Sequence, residues 1–211
     1  DNLEIQGGLG TLTITNQADG LLLAGSDDGD QVLINDTDTA ITLVNEAGTG
    51  TGASALDAGT VYGRSISLNL AGLTNAGLIQ SDKASTYSLT DANANPQGTL
   101  TNSGTLLAGT TLAVTTQHLS NLAGAFIQGT DSANLAISGD TNNAGNLILS
   151  TVAGTTQTLA VNSFVNTGVI QNAGKLVLTA NGLTLTNAGR IVAGDNLEIQ
   201  GGLGTLTITN Q

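Results

Sequence analysis

The chain of 211 residues has no cysteine, no methionine and no tryptophan, a single proline, two tyrosines and two phenylalanines. Without cysteine there is no disulfide scaffold and no thiolate metal site. Charged residues make up 9% of the chain, far below the typical share of about 25%, which sets it apart from an average globular enzyme domain. Only four cations are present, Arg64, Lys83, Lys175 and Arg190, scattered singly against 16 carboxylates. They cannot assemble a groove that tracks phosphates, so nucleic acid is excluded as a partner, and an anionic membrane surface would repel the chain. No apolar run approaches the roughly 18 residues of a transmembrane segment. No stretch sustains an apolar stripe at helical spacing, so almost no helix is expected.

What is abundant is small and apolar. Hydrophobic residues reach 39% and glycine numbers 29. The Leu, Ile, Val and Ala residues come in short groups every few positions, where a disordered chain would be depleted in them. The final 17 residues, Asp195 to Gln211, repeat Asp1 to Gln17 letter for letter, leaving a unit of 194 residues. Residues 1–194 are therefore read as one complete unit and 195–211 as the start of the next, a window on a longer tandem array. Flanking identical repeats are the expected neighbours in such an array. Without the second copies Asp195 and Glu198, each unit carries a net charge of −10.

Within the unit a shorter motif recurs: Asn, one or two small residues, Gly, then an apolar strand. It marks Asn75 (TNAGLIQ), Asn102 (TNSGTLL), Asn121 (SNLAGAFIQ), Asn143 (NNAGNLIL), Asn166 (VNTGVIQ) and Asn187 (TNAGRIV), with looser copies at Asn16 and Asn45. Asn210 opens the next unit. Eight intervals of 19 to 30 residues separate these nine asparagines, so eight turns make one unit. Between corners the residues alternate as strands do, as in Leu12-Thr13-Ile14-Thr15 and Leu176-Val177-Leu178-Thr179. A strand, a corner, another strand and another corner use the length of one short interval, which is one coil of a β-solenoid.

One such coil buries too little to stand alone. Stacking at about 4.8 Å per coil sets each inward side chain over its equivalent and pairs the backbones between coils. The position four after the corner Asn supplies the expected core ladder of Ile79, Leu106, Leu147, Ile170 and Ile191. Corner asparagines are suited to stacking in a hydrogen-bonded ladder and to left-handed backbone, with the following Gly expected where φ turns positive. Phe126 and Phe164 are expected to fill core or corner space. Pro96 falls in the turn sequence Asn95-Pro96-Gln97-Gly98. Eight coils give a unit about 38 Å long.

These corner-and-strand repeats resemble the haemagglutinin repeats of filamentous haemagglutinin and related two-partner-secreted exoproteins, most clearly from Gly72 to Gly202 and least between Gly25 and Gly63. The resemblance implies a right-handed parallel β-helix rod. It also implies export through a dedicated outer-membrane transporter of a Gram-negative bacterium and a location that is secreted or on the cell surface. Asn95-Pro96-Gln97-Gly98 matches the family's NPNG element only in part, and we treat that overlap as chance.

Three readings compete for any further chemistry. Eight of the 16 carboxylates lie between Asp19 and Asp57, and residues 25–33 partly match the nonapeptide that binds Ca2+ in β-roll proteins. Asp27, Asp28 and Asp30, with Asp36 and Asp38, offer hard oxygen ligands for Ca2+, although two of the motif's glycines are missing. A solvated acidic loop with no cofactor is the simpler reading. A polysaccharide-active β-helix enzyme needs clustered carboxylates with a base, whereas His118 has no acidic residue near it in sequence, so an enzyme is not expected. Thr arrays such as TLTIT and TLAVTT raise ice binding, against which the variable interval argues. The function expected is the structural shaft of a long secreted bacterial surface filament or adhesin. The alternative is an extracellular sheath or biofilm-matrix fibre that self-associates laterally with the help of Ca2+, and bundling is expected to require salt, divalent cations or a specific lateral contact.

Overall fold

The computed structural model describes residues 1–7, 10–25, 27–35, 41–48, 58–91, 94–201 and 207–210. The chain is all-β, and every pairing between its strands is parallel. It winds as a three-sided parallel β-helix. The first face is built from strands such as Leu3–Gln6, Gln31–Asn35, Ser65–Asn69 and Ser85–Ser88. The second contains Leu12–Asn16, Ile41–Asn45, Gly72–Asn75 and Thr99–Asn102, and the third Leu21–Leu23, Thr60–Gly63, Leu78–Ser81 and Thr105–Ala108. Each coil thus holds three short strands where alternation alone suggested two. The third fits because corners need only one or two residues. In the seventh and eighth coils, Thr156–Asn166 and Lys175–Asn187 run through the first corner as single long strands.

Residues whose side chains alternate in period two are buried and exposed alternately along each strand, so the faces sort themselves. The inward row of the second face stacks Ile14, Leu43, Leu73, Leu100 and Leu119. The expected third-face ladder is in register: Ile79 pairs with Leu106, Leu147 with Ile170, and Ile170 with Ile191. Ile79, Leu106, Leu147 and Ile170 are fully buried, and Ile191 is partly buried against the same core. Three further members belong to it. Ile127 bridges Leu106 and Leu147, while Val61 and Leu22 extend it toward the start of the chain. They escape the four-residue spacing because extra corner residues separate them from Asn121, Asn45 and Asn16. Burying one such side chain contributes about 1.5–3 kcal/mol.

The two buried rings occupy space left by small inward neighbours. Tyr87, fully buried on the first face, lies two residues from buried Ser85, and Phe164 stacks on Thr141 of the preceding coil. Phe126 points outward on the third face and is only half-buried.

The long intervals do not disturb the stack, because their extra residues leave at corners. Register on the second face runs unbroken from Thr13 to Thr209. Pro96 lies in one such excursion, bridged to Thr90, with the Asn95 backbone N–H donating to the Asp91 carboxylate at 2.9 Å. The outward columns of the second face are nonetheless interrupted, by Gly72 and His118 in one and by Val44, Asn142 and Val165 in the other, so it is not a regular Thr face.

Candidate functional surfaces

The most ordered polar feature is the corner between the second and third faces. Asn16 Nδ2 donates to Asn45 Oδ1, Asn45 to Asn75, and Asn75 to Asn102, each at 2.8 Å. The chain of amides continues through Asn121, Asn143, Asn166 and Asn187 to Asn210 at 2.7–3.0 Å. Each Nδ2 also reaches a backbone carbonyl, as Asn121 does to Asn146 at 3.1 Å. All donors point toward the C-terminal end, so the amide dipoles align and polarise one another. Asn45 to Asn166 are buried, and satisfying a buried amide in this way avoids a penalty of about 1–3 kcal/mol per orphaned group.

At most corners the glycine has a different role from the expected one. Among the described residues, positive φ is confined to Asp19, Ala94, Gly10, Gly29, Gly98, Gly124 and Gly154, none of them a ladder asparagine, and Gly124 of the Asn121 corner is the motif glycine that meets the expectation, at φ +82°. A Cβ on Gly104 would lie 2.1 Å from the Gly77 carbonyl oxygen, and one on Gly189 would lie 2.1 Å from that of Gly168. Close stacking of one corner backbone on the next, rather than left-handed backbone, is what requires glycine there.

The acidic segment forms a turn around Gly29, whose φ is +104°. The Asp30 backbone N–H donates to the Asp27 carbonyl, and the Asp27 N–H donates to the Asp30 carboxylate, both at 3.0 Å. Asp28 is held by the Arg64 guanidinium, with Nε at 2.9 Å, and this hydrogen bond keeps its carboxyl below the usual range. Asp36 and Asp38 lie outside the described residues. Among the described residues, no three carboxylate or imidazole groups converge to hold a metal ion. The neighbouring outward Tyr62 donates its hydroxyl to Asp82 at 2.8 Å, which raises the phenol pKa.

Coil stacking creates one juxtaposition that linear spacing hides. His118 stands between Thr99 and Asp140 in an outward column of the second face, 22 residues from that carboxylate in sequence. Its Nδ1 accepts the Asp140 backbone N–H at 3.3 Å, and the Asp140 carboxylate lies 3.7 Å away. Thr99, His118 and Asp140 thus place a hydroxyl, an imidazole and a carboxylate in successive coils of one column.

The three faces present different chemistry outward. The second carries hydroxyl-rich columns, including Thr13, Thr42 and Thr99 in one and Thr74, Thr101 and Thr186 in the other. The first displays mainly Ser, Thr and Asn. On the third, one column reads Leu78, Thr105, Phe126, Asn146 and Val169, and the other Gln80, Leu107, Gln128, Ile148 and Gln171. Apolar side chains therefore alternate between columns from coil to coil. Among the described residues, no outward position of this face carries a carboxylate, and Arg190 is its one charge.

An apolar hollow lined by Leu185, Ile191, Leu197, Ile199 and Ile208, with the ladder residues Asn187 and Asn210, lies at the last two coils. Comparison of the chain with protein-family models, with curated proteins and with solved structures finds no match.

Proposed function

We propose that the chain is a segment of the structural shaft of a long secreted bacterial surface filament or adhesin, which converts chain length into reach. The observation that carries the reading is how the repeated segment docks. Leu3–Gln6 and Leu12–Asn16 pair with the coil that follows them, through Leu3 with Val32 and Ile14 with Leu43. Their identical copies Leu197–Gly201 and Thr207–Asn210 pair with the coil that precedes them, through Leu197 with Leu176 and Ile208 with Leu185. One sequence thus has a partner surface on both sides, the condition for a unit to run into the next without a seam. The Asn ladder supports the same reading, since Asn187 donates to Asn210 as every earlier rung does.

The role is mechanical rather than enzymatic in this reading. The location and the outer-membrane transporter rest on the resemblance of the corner repeats. Limited proteolysis of intact cells that make the protein tests the location. The reading expects fragments of the array to be shed without lysis. Protection until the envelope is broken would overturn it.

A lateral fibre is the second reading, and the third face, free of carboxylates among the described residues, is what favours it.

A further inference from the structure

We infer that the third face is a self-association surface, through which two copies of the chain pair side by side and antiparallel. The inference goes beyond the shaft reading, since a single rod keeps its reach whether or not it pairs.

Charge selects the face. The chain carries a net charge of −12, and like-charged surfaces brought together are penalised. Among the described residues, the third face alone combines freedom from carboxylates with an outward aliphatic or phenylalanine side chain in every coil but the second, where Tyr62 stands. On the second face, by contrast, Asp140 stands outward and more than half exposed. Two acidic rods can therefore approach through their third faces while their carboxylates stay in water at the corners and on the other sides. Charge depletion at the centre of a contact with charge at its rim is the general pattern of protein interfaces.

The occupant follows from the alternation. A homodimer is isologous, so each copy presents the same surface about a two-fold axis. An axis parallel to the rods keeps coil levels matched but swaps the columns, setting each apolar residue against a polar one. An axis across the rods, in the plane of the face, keeps the columns and reverses the coil order. An apolar zigzag of period two then meets an apolar zigzag. Leu78, Phe126 and Val169 of one copy face their own column in the other, and Leu107 and Ile148 do the same. Only the antiparallel pair aligns apolar with apolar.

Area sets the length at which pairing holds. Eight coils of about 4.8 Å and a strand about 13 Å wide give a face of roughly 500 Å2 per unit. A stable interface buries about 800 Å2 per partner. One unit falls short and two exceed the requirement, so pairing switches on with repeat number.

The test is sedimentation of this chain and of a protein extended to two full units. The chain is expected to dimerise only weakly, and the two-unit protein to dimerise at least tenfold more tightly. Raising salt should tighten both, because the remaining carboxylates repel. Leu107→Lys with Ile148→Lys in each unit should weaken pairing at least tenfold, with circular dichroism and melting kept as checks of the fold. The control, Thr101→Lys with Thr186→Lys, adds the same charge to the second face and should leave pairing intact. A spin label on a single Cys in place of Ala188 of the last unit should report labels at opposite ends of the pair.

A two-unit protein that stays monomeric, or pairing that ignores the third-face variants or fails equally in the control, would overturn the inference. Labels side by side would overturn the antiparallel arrangement. A monomer whose length doubled with unit number would leave the shaft reading standing, which separates the two failures.

Discussion

Asn121 shows how one residue type holds the corner. Its Oδ1 accepts from Asn102 and its Nδ2 donates to Asn143 and to the Asn146 carbonyl. Asn121→Ala orphans the Asn143 Oδ1 and leaves Asn102 Nδ2 only its carbonyl acceptors, and should cost about 1–3 kcal/mol, read from denaturant unfolding. Asn121→Asp substitutes a group that has no proton to donate once ionised. Burial raises such a carboxyl's folded pKa above its unfolded value, so the folded state binds more protons and stability falls as pH rises through that interval. The Asp variant should therefore melt close to the parent in acid and well below it at neutral pH. Equal deficits at both pH values would contradict this. Tyr87 offers the opposite sign. Its buried hydroxyl has no well-formed partner, Ser85 being bonded to Ser81 at 2.8 Å, and burial drives the phenol pKa far up. Tyr87→Phe keeps the ring and removes the orphan, so the melting temperature should rise by a few degrees, equivalent to about 1 kcal/mol.

At the scale of strand and corner, the two tolerate change differently. A strand shifted by one residue moves its inward set to the outside, whereas a corner can lengthen without touching the register. One residue inserted between Leu106 and Leu107 should abolish cooperative melting of the neighbouring coils. Two glycines inserted after Gly154, in an exposed corner, should change the melting temperature little. A large loss from the corner insertion would show that corners carry more of the stability than the stacked core does. The same contrast explains what the sequence made legible. Asn-Gly corners and two-residue alternation mark the solenoid because they reflect local geometry. The third strand of each coil stayed hidden because a one-residue corner leaves no turn signature. Val61 and Leu22 stayed out of the ladder because loop residues intervene, and His118 was separated from Asp140 by a whole coil. Left-handed backbone explains Gly124 but not Gly77, Gly104, Gly145, Gly168 or Gly189, since sequence alone does not distinguish a left-handed turn from a carbonyl stacked above.

On the scale of the whole molecule, stability and reach come from the same stacking. Each coil is covered by its neighbours, and the closed spiral leaves backbone edges only at the ends of the rod, which limits edge-to-edge aggregation. With −10 on about 38 Å of length, rods repel over the ~10 Å screening range of about 0.1 M salt, so association must go through a face that carries no acid. The central claim is that chain length is converted into rod length without a seam. Small-angle X-ray scattering on proteins of one, two and four tandem units, under dilute conditions in which they are monomeric, measures it directly. The maximum dimension should grow by about 38 Å per added unit while the cross-sectional radius stays constant. Growth well below that value, or a cross-section that widens with unit number, would mean that units fold back or form separate domains, and would contradict the account.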